Sequence, residues 1–224
     1  MKSHIYLLKL LLVCLAMPYC NVDRIETKIK PSKPSEKTGE IESLKQNVSL
    51  SVYELFFKEN EVYEATGFDF PVGIPNAKHY YNAQKFGENN HLGDDWNGTG
   101  GGNSDLGDPV YSVANGYVTK AYDEGGGWGN VVRVIHKIDN GEFVESLYAH
   151  LDTMLVQANS GIMKGEKLGT IGTANGAYLA HLHLEIREKP ELPLGGGYSA
   201  DSTGYLNPTK FINGNRKVMW QRAR

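Results

Sequence analysis

The sequence predicts a mainly β protein: a compact antiparallel sheet domain carrying a few short helices. Three observations predict it. Short runs rich in Val, Ile, Tyr and Leu recur between Gly- and Asn-rich turns across residues 109–186. Asp139-Asn140-Gly141 separates two such runs, the signature of a tight hairpin. Finally, 26 Gly and 13 Tyr in 224 residues suit a turn-rich sheet better than a helical bundle. The 40% hydrophobic content suffices for one ordinary domain with extensions. With 23 Lys+Arg against 26 Asp+Glu, charge gives no basis for nucleic-acid binding.

Residues 1–20 read as an export signal. Lys2 precedes an apolar stretch, residues 5–16, broken only by Lys9; it is too short for a membrane span and right for a signal's apolar region. Both cysteines, Cys14 and Cys20, lie there, so a chain cut after Cys20 has no disulfide, thiol nucleophile or thiolate zinc site. Cleavage after Ala16 competes with lipidation of Cys20, a candidate membrane anchor, although Tyr19 is bulky for the residue before a lipidated cysteine. Residues 21–64 read as a flexible linker, rich in Lys, Glu, Ser, Thr and Pro up to about Asn47, with a short amphipathic helix near residues 50–60. That helix is expected to dock on the outside of the domain rather than over a cleft.

The folded domain is expected over 65–215, with a basic tail at 216–224. Residues 68–72 read as an edge strand because of Pro71. His91 and Asp95 stand four residues apart with Gly93 between them; Gly93, Asn97 and Gly98 argue for a loop in which imidazole and carboxylate converge. Residues 97–108 form a Gly-rich loop, read as a mobile flap, with calcium as a lesser alternative because the spacing is not that of an EF-hand. Strands follow at 109–113, 116–121 and 129–136, and the hairpin leads into 143–150, placing His150 at a strand end. Glycines punctuate residues 161–172, and Pro208 opens a short helix. His79 and His136 receive no role.

The most informative stretch is Ala180-His181-Leu182-His183-Leu184-Glu185-Ile186. Read as a strand, it places His181 and His183 on one face, roughly 7 Å apart at Cα, with the apolar residues opposite. Alone, the pair is equally consistent with histidines on an amphipathic strand. Taken with His91, Asp95 and His150, it suggests more. Three N/O ligands without sulfur and one open position describe a catalytic zinc site, and further imidazoles beside it can move protons near neutral pH.

His91-x-x-x-Asp95, Tyr148-Ala149-His150-Leu151 and His181-Leu182-His183 followed by Glu185-Ile186, with Gly116, Gly129-Asn130-Val131 and Lys164-Gly165-Glu166-Lys167-Leu168-Gly169 between them, resemble the lysostaphin-type, LytM-like zinc endopeptidases of bacterial peptidoglycan. The resemblance covers about residues 68–187. It implies a fold of the duplicated-hybrid-motif type, with one Zn2+ held by His91, Asp95 and His183. It also implies that His150 and His181 serve as catalytic acid/base groups and stabilise the intermediate in acting on peptidoglycan peptides. The export signal places the protein in the periplasm or cell envelope, or secreted, and a monomer is expected. Two departures lie at the cleft rim: a longer Gly-rich insertion after Asp95, and Leu179-Ala180 where a small residue and proline are common. A non-catalytic wall-binding regulator is the alternative, and a phosphocarrier domain is disfavoured by the export signal.

Overall fold

The structure, a computed structural model, describes residues 50–216. The export signal, both cysteines, most of the linker and residues 217–224 of the basic tail lie outside the described residues. Among the described residues no helix is long and apolar enough to cross a membrane.

The described residues open with α1 (Val52–Glu59), which forms because Ser51 and Glu54 make a reciprocal capping box satisfying two of the free N–H groups of the first turn. The helix buries Phe57 against Tyr117 and Ile135, with Tyr53 and Phe56 alongside. Burial of one such ring stabilises the docked helix by about 1.5–3 kcal/mol. None of these residues lines the candidate site, so α1 docks on the outside of the domain.

Ten strands follow among the described residues: β1 (Tyr80–Gln84), β2 (Asp94–Gly98), β3 (Pro109–Tyr111), β4 (Gly116–Asp123), β5 (Asn130–Lys137), β6 (Phe143–Met154), β7 (Ser160–Ile162), β8 (Lys167–Ile171), β9 (Leu182–Arg187) and β10 (Tyr205–Leu206). All ladders are antiparallel. The main path runs β1-β2-β9-β6-β5-β4-β7, with β10 on β9 and the β3–β8 pair joined to β6. The expected hairpin is β5–β6, closed by Lys137 opposite Phe143 with Gly141 at φ 83° in the turn. The last element among the described residues is α2 (Pro208–Gly214), begun by Pro208 and capped by the Asn207 side chain.

Alternation along the central strands sorts the two faces. Val132, Val134, Tyr148, Leu182, Leu184 and Ile186 enter the main core with Phe68, Phe70 and Val72. Val131, Leu147, Ala149, His183 and Glu185 occupy the opposite face.

Three expectations need correction. Residues 68–72 are buried at every position but the partly exposed Asp69, yet make no strand, because their backbone partners are scattered: Phe68 N–H donates to Asn215, Asp69 N–H to Val113, and Pro71 accepts from Tyr111. Asp95 lies on β2 rather than in a loop, since pairing on both sides, with β1 and β9, outweighs the turn-forming local composition. The strand carrying His150 does not end there but continues to Met154. In addition, Arg216 is not merely solvated: its guanidinium pairs with Asp69 at 2.8 Å and lies over the Phe70 ring.

Tyr148 ties the core to the loop after β3. Its fully buried hydroxyl accepts from Val113 N–H at 2.9 Å and from Ser146 Oγ at 3.0 Å. Tyr148→Phe leaves these donors without their partner and is expected to cost about 1–3 kcal/mol in denaturant unfolding. An unchanged midpoint would show that the hydroxyl contributes nothing to stability.

Candidate metal centre

The site is built on the register between β2 and β9. Asp95 pairs with His183 across that ladder, and Ala149 pairs with His183 across β6–β9, so Asp95 and His183 meet side by side on one face. His91 enters from the segment before β2, where it bridges to Tyr198. Gly93 makes this approach possible: a Cβ there would lie 2.5 Å from the Leu184 carbonyl oxygen and 2.7 Å from His183 Cε1.

The three side chains converge on one point. His183 Nδ1 lies 2.9 Å from Asp95 Oδ1 and 3.0 Å from His91 Nε2, and His91 Nε2 lies 3.4 Å from Asp95 Oδ1. All three residues are buried. Tetrahedral ligands about 2.0–2.1 Å from a zinc ion stand about 3.3 Å from one another. The donor set, two imidazole nitrogens and a carboxylate within 4.8 Å of one another, therefore fits such an ion with little adjustment.

The electrostatics also favour positive charge. Burial opposes ionisation of Asp95, but hydrogen bonds from His183 and His91 more than offset it and hold the carboxyl below its ordinary range. Burial likewise opposes charging His183, yet its contacts with Asp95 and Glu185 raise it to about 9. His183 Nε2 lies 3.2 Å from Glu185 Oε1, which leaves Nδ1 facing the site. By contrast, His91 Nδ1 is buried without a partner.

His150 arrives by a different device. Asn130 pairs with Leu151 and Val132 with Tyr148, so Ala149 and His150 together oppose the single residue Val131. This β-bulge, with His150 at φ 62°, turns a side chain that strict alternation would send into the core toward the site. Its Nδ1 lies 3.3 Å from the Trp128 carbonyl, and that of His181 lies 2.8 Å from the Leu179 carbonyl. If each Nδ1 donates, each Nε2 is left free. The two rings are 4.7 Å apart between centroids, and His181 Nε2 lies 3.9 Å from Asp95 Oδ1. Burial and the neighbouring His183 and His181 push His150 down to about 3, so it stands neutral.

All five expected residues line one cavity of about 370 Å³. Its walls add Trp128, Tyr178, Tyr198 and Gln84, which sequence reasoning did not single out. Tyr178 and Tyr198 are half exposed on the rim. They sit in irregular segments, and only the structure brings them to the site. Glu185 carried a usable signal, since period-2 spacing puts it on the face of His181 and His183. The Gly-rich loop expected to act as a flap is fastened at two points: Asp105 accepts from Gly98 N–H and Asn103 from Ala180 N–H. His136, given no role, is fully buried between the Asn115 carbonyl and Ser146 Oγ, and burial lowers it to about 4.

Residues 95–194 match the family model described as peptidase family M23. The chain is 39% identical over 83 residues to lipoprotein NlpD of Yersinia enterocolitica, covering 37% of this chain and 80% of that protein. It is 36% identical over 83 residues to the murein hydrolase activator NlpD of Escherichia coli strain K12, covering 37% of this chain and 21% of that protein. It is 40% identical over 81 residues to the DD-carboxypeptidase/endopeptidase Mpg of Neisseria meningitidis serogroup B, covering 36% and 17%. The match thus spans about a fifth of the length of the latter two relatives. Among solved structures, the antimicrobial peptidase lysostaphin from Staphylococcus simulans aligns at 20% identity over 61% of this chain and 50% of that chain, with a TM-score of 0.47. With the family model matched over residues 95–194 and four-fifths of one relative covered at 39% identity, the chain belongs to peptidase family M23.

Proposed function

We propose that this chain is an exported zinc-dependent endopeptidase that hydrolyses peptide cross-links or stem peptides of bacterial peptidoglycan. The observation that carries the reading is the convergence of His91, Asp95 and His183 beside two further histidines in one cavity. Two imidazoles and a carboxylate with no thiolate suit zinc with a position left for substrate. A bound zinc ion would supply Lewis acidity, polarising the scissile carbonyl and activating water near neutral pH.

The chain's own groups then do the rest. His91, Asp95 and His183 would hold the ion. His150, kept neutral in the metal-free chain by burial and by the neighbouring His183 and His181, would take a proton from the attacking water at Nε2 if its Nδ1 donates to the Trp128 carbonyl. His181, on the open side of the cavity, stabilises charge on the carbonyl oxygen and shares in returning a proton to the leaving amine. Tyr178 and Tyr198 form walls between which an extended peptide is held. Export is supported by the character of residues 1–20 and by the name lipoprotein carried by the Yersinia relative. The name of the Escherichia relative favours a second reading, in which the domain binds the wall and activates another hydrolase.

Metal analysis paired with digestion of isolated peptidoglycan separates the two. The full chain is expected to carry about one zinc, as three protein ligands and one open position imply, and to release new peptide amines. His183→Ala and a chelator should abolish both. A chain that releases no amines yet stimulates a separate wall hydrolase would establish the activator reading. His150→Ala should keep its zinc and lose about 10²- to 10⁴-fold in turnover; retained turnover would remove His150 from the chemistry.

Zinc uptake should also depend on pH with a defined sign. His183 lies near 9 in the metal-free chain, so it is protonated at neutral pH and must lose that proton to bind the ion. Affinity measured by chelator competition is expected to rise about tenfold per unit between roughly pH 7 and 8.5. Affinity that levels off above about pH 6.5, an unperturbed imidazole's value, would contradict the raised proton affinity.

A further inference from the structure

Behind His183 lie charges that the proposed chemistry does not use. Glu185, Arg187 and Glu145 are fully buried and Arg133 is nearly so. Two carboxylates and two guanidiniums balance, but such groups are costly to desolvate and are commonly replaceable by apolar residues without loss of stability. Their contacts indicate a use other than stability. Glu185 Oε1 receives His183 Nε2 at 3.2 Å, while Oε2 is held by Arg187 Nε and a terminal guanidinium nitrogen, each at 2.7 Å. Arg187 then donates to the carbonyls of Leu192 and Leu194 at 2.9 and 3.2 Å. Arg133, paired with Glu145, donates to the same Leu192 carbonyl, and Glu145 accepts from Glu191 N–H.

The segment held in this way leads directly into the cavity wall. Its next residues, Gly196, Gly197 and Tyr198, line the site. Gly197 accepts from Leu92 N–H at 2.9 Å, and the Tyr198 ring lies 5.0 Å from that of His91. A path of direct contacts therefore runs from one candidate ligand, His183, through Glu185 and Arg187 into residues 191–198 and back to another, His91.

We propose that Glu185 is a positioning residue: it presets His183 with Nδ1 aimed at the metal and, through Arg187, couples metal binding to the order of segment 191–198. The inference rests on the zinc reading of His183. Coordination at Nδ1 makes the opposite N–H a stronger donor, which tightens its bond to Glu185. The carboxylate in turn fixes the ring and raises its basicity as a ligand.

The test uses the full chain. Zinc affinity is measured by chelator competition, backbone exchange of residues 191–198 is measured with and without zinc, and the visible absorption is recorded at saturating cobalt. In wild type, zinc is expected to slow exchange in 191–198 by about 5- to 150-fold. Glu185→Gln keeps the side chain's size but should weaken zinc about 10- to 100-fold, shift the cobalt bands and remove the zinc-dependent protection. Should the unpaired Arg187 prevent folding of that variant, Glu185→Gln/Arg187→Gln removes both charges together, and the same losses are expected. Wild-type zinc binding with unchanged exchange in 191–198, or a folded variant with wild-type affinity and cobalt spectrum, overturns this inference and leaves the endopeptidase reading intact. A wild-type chain that binds no zinc overturns both.

Discussion

The site depends on one pairing: Asp95 opposite His183 across β2–β9. Side chains alternate along a strand, so sliding β2 by one residue would bring Asp94 to this position and turn Asp95 away. The two aspartates have separate tasks. Asp94 is fully buried and accepts from Phe86 N–H through one oxygen and from Thr209 N–H and Oγ through the other. It fastens the start of α2 and the turn after β1 to the sheet edge. Those contacts hold the register that delivers Asp95 to the cavity.

The cavity and the core are thus two faces of the same strands. Leu182, Leu184 and Ile186 lose their solvent exposure completely on one side of β9, which fixes the strand against the core. Because that face is committed, His183, Glu185 and Arg187 have no choice but the other. The strand that contributes most to the position of the site is held by residues that take no part in its chemistry.

Much of this was legible in the sequence, and the exceptions have physical causes. The hairpin, the helix opened by Pro208 and the shared face of His181 and His183 follow from local rules: turn chemistry, capping and period-2 alternation. Those rules fail where tertiary contacts decide. Asn97 and Gly98 belong in turns by composition, yet pairing with Tyr81 and Tyr80 of β1 makes them the end of β2. His150 is the sharper case. Counting by twos from Tyr148 assigns it to the core, and no residue type in Ala149-His150-Leu151 announces the bulge that re-aims it. The aromatic walls were invisible for another reason: Trp128, Tyr178 and Tyr198 come from separate irregular segments with no periodicity to read.

One residue type in three environments explains where positive charge can reside. His136, His150 and His183 are all buried, and burial alone disfavours the charged imidazole in each. His136 faces a carbonyl and a hydroxyl, which do not offset that cost, and it falls to about 4. His150 lies near other imidazoles and falls to about 3. Only His183 lies between two carboxylates, and it rises to about 9. A position that binds a proton so firmly between Asp95 and Glu185, with a second imidazole nitrogen 3.0 Å away, is built to stabilise cationic charge. A divalent ion would satisfy the same carboxylate and could engage both facing nitrogens as ligands, which a single proton shared among them does not.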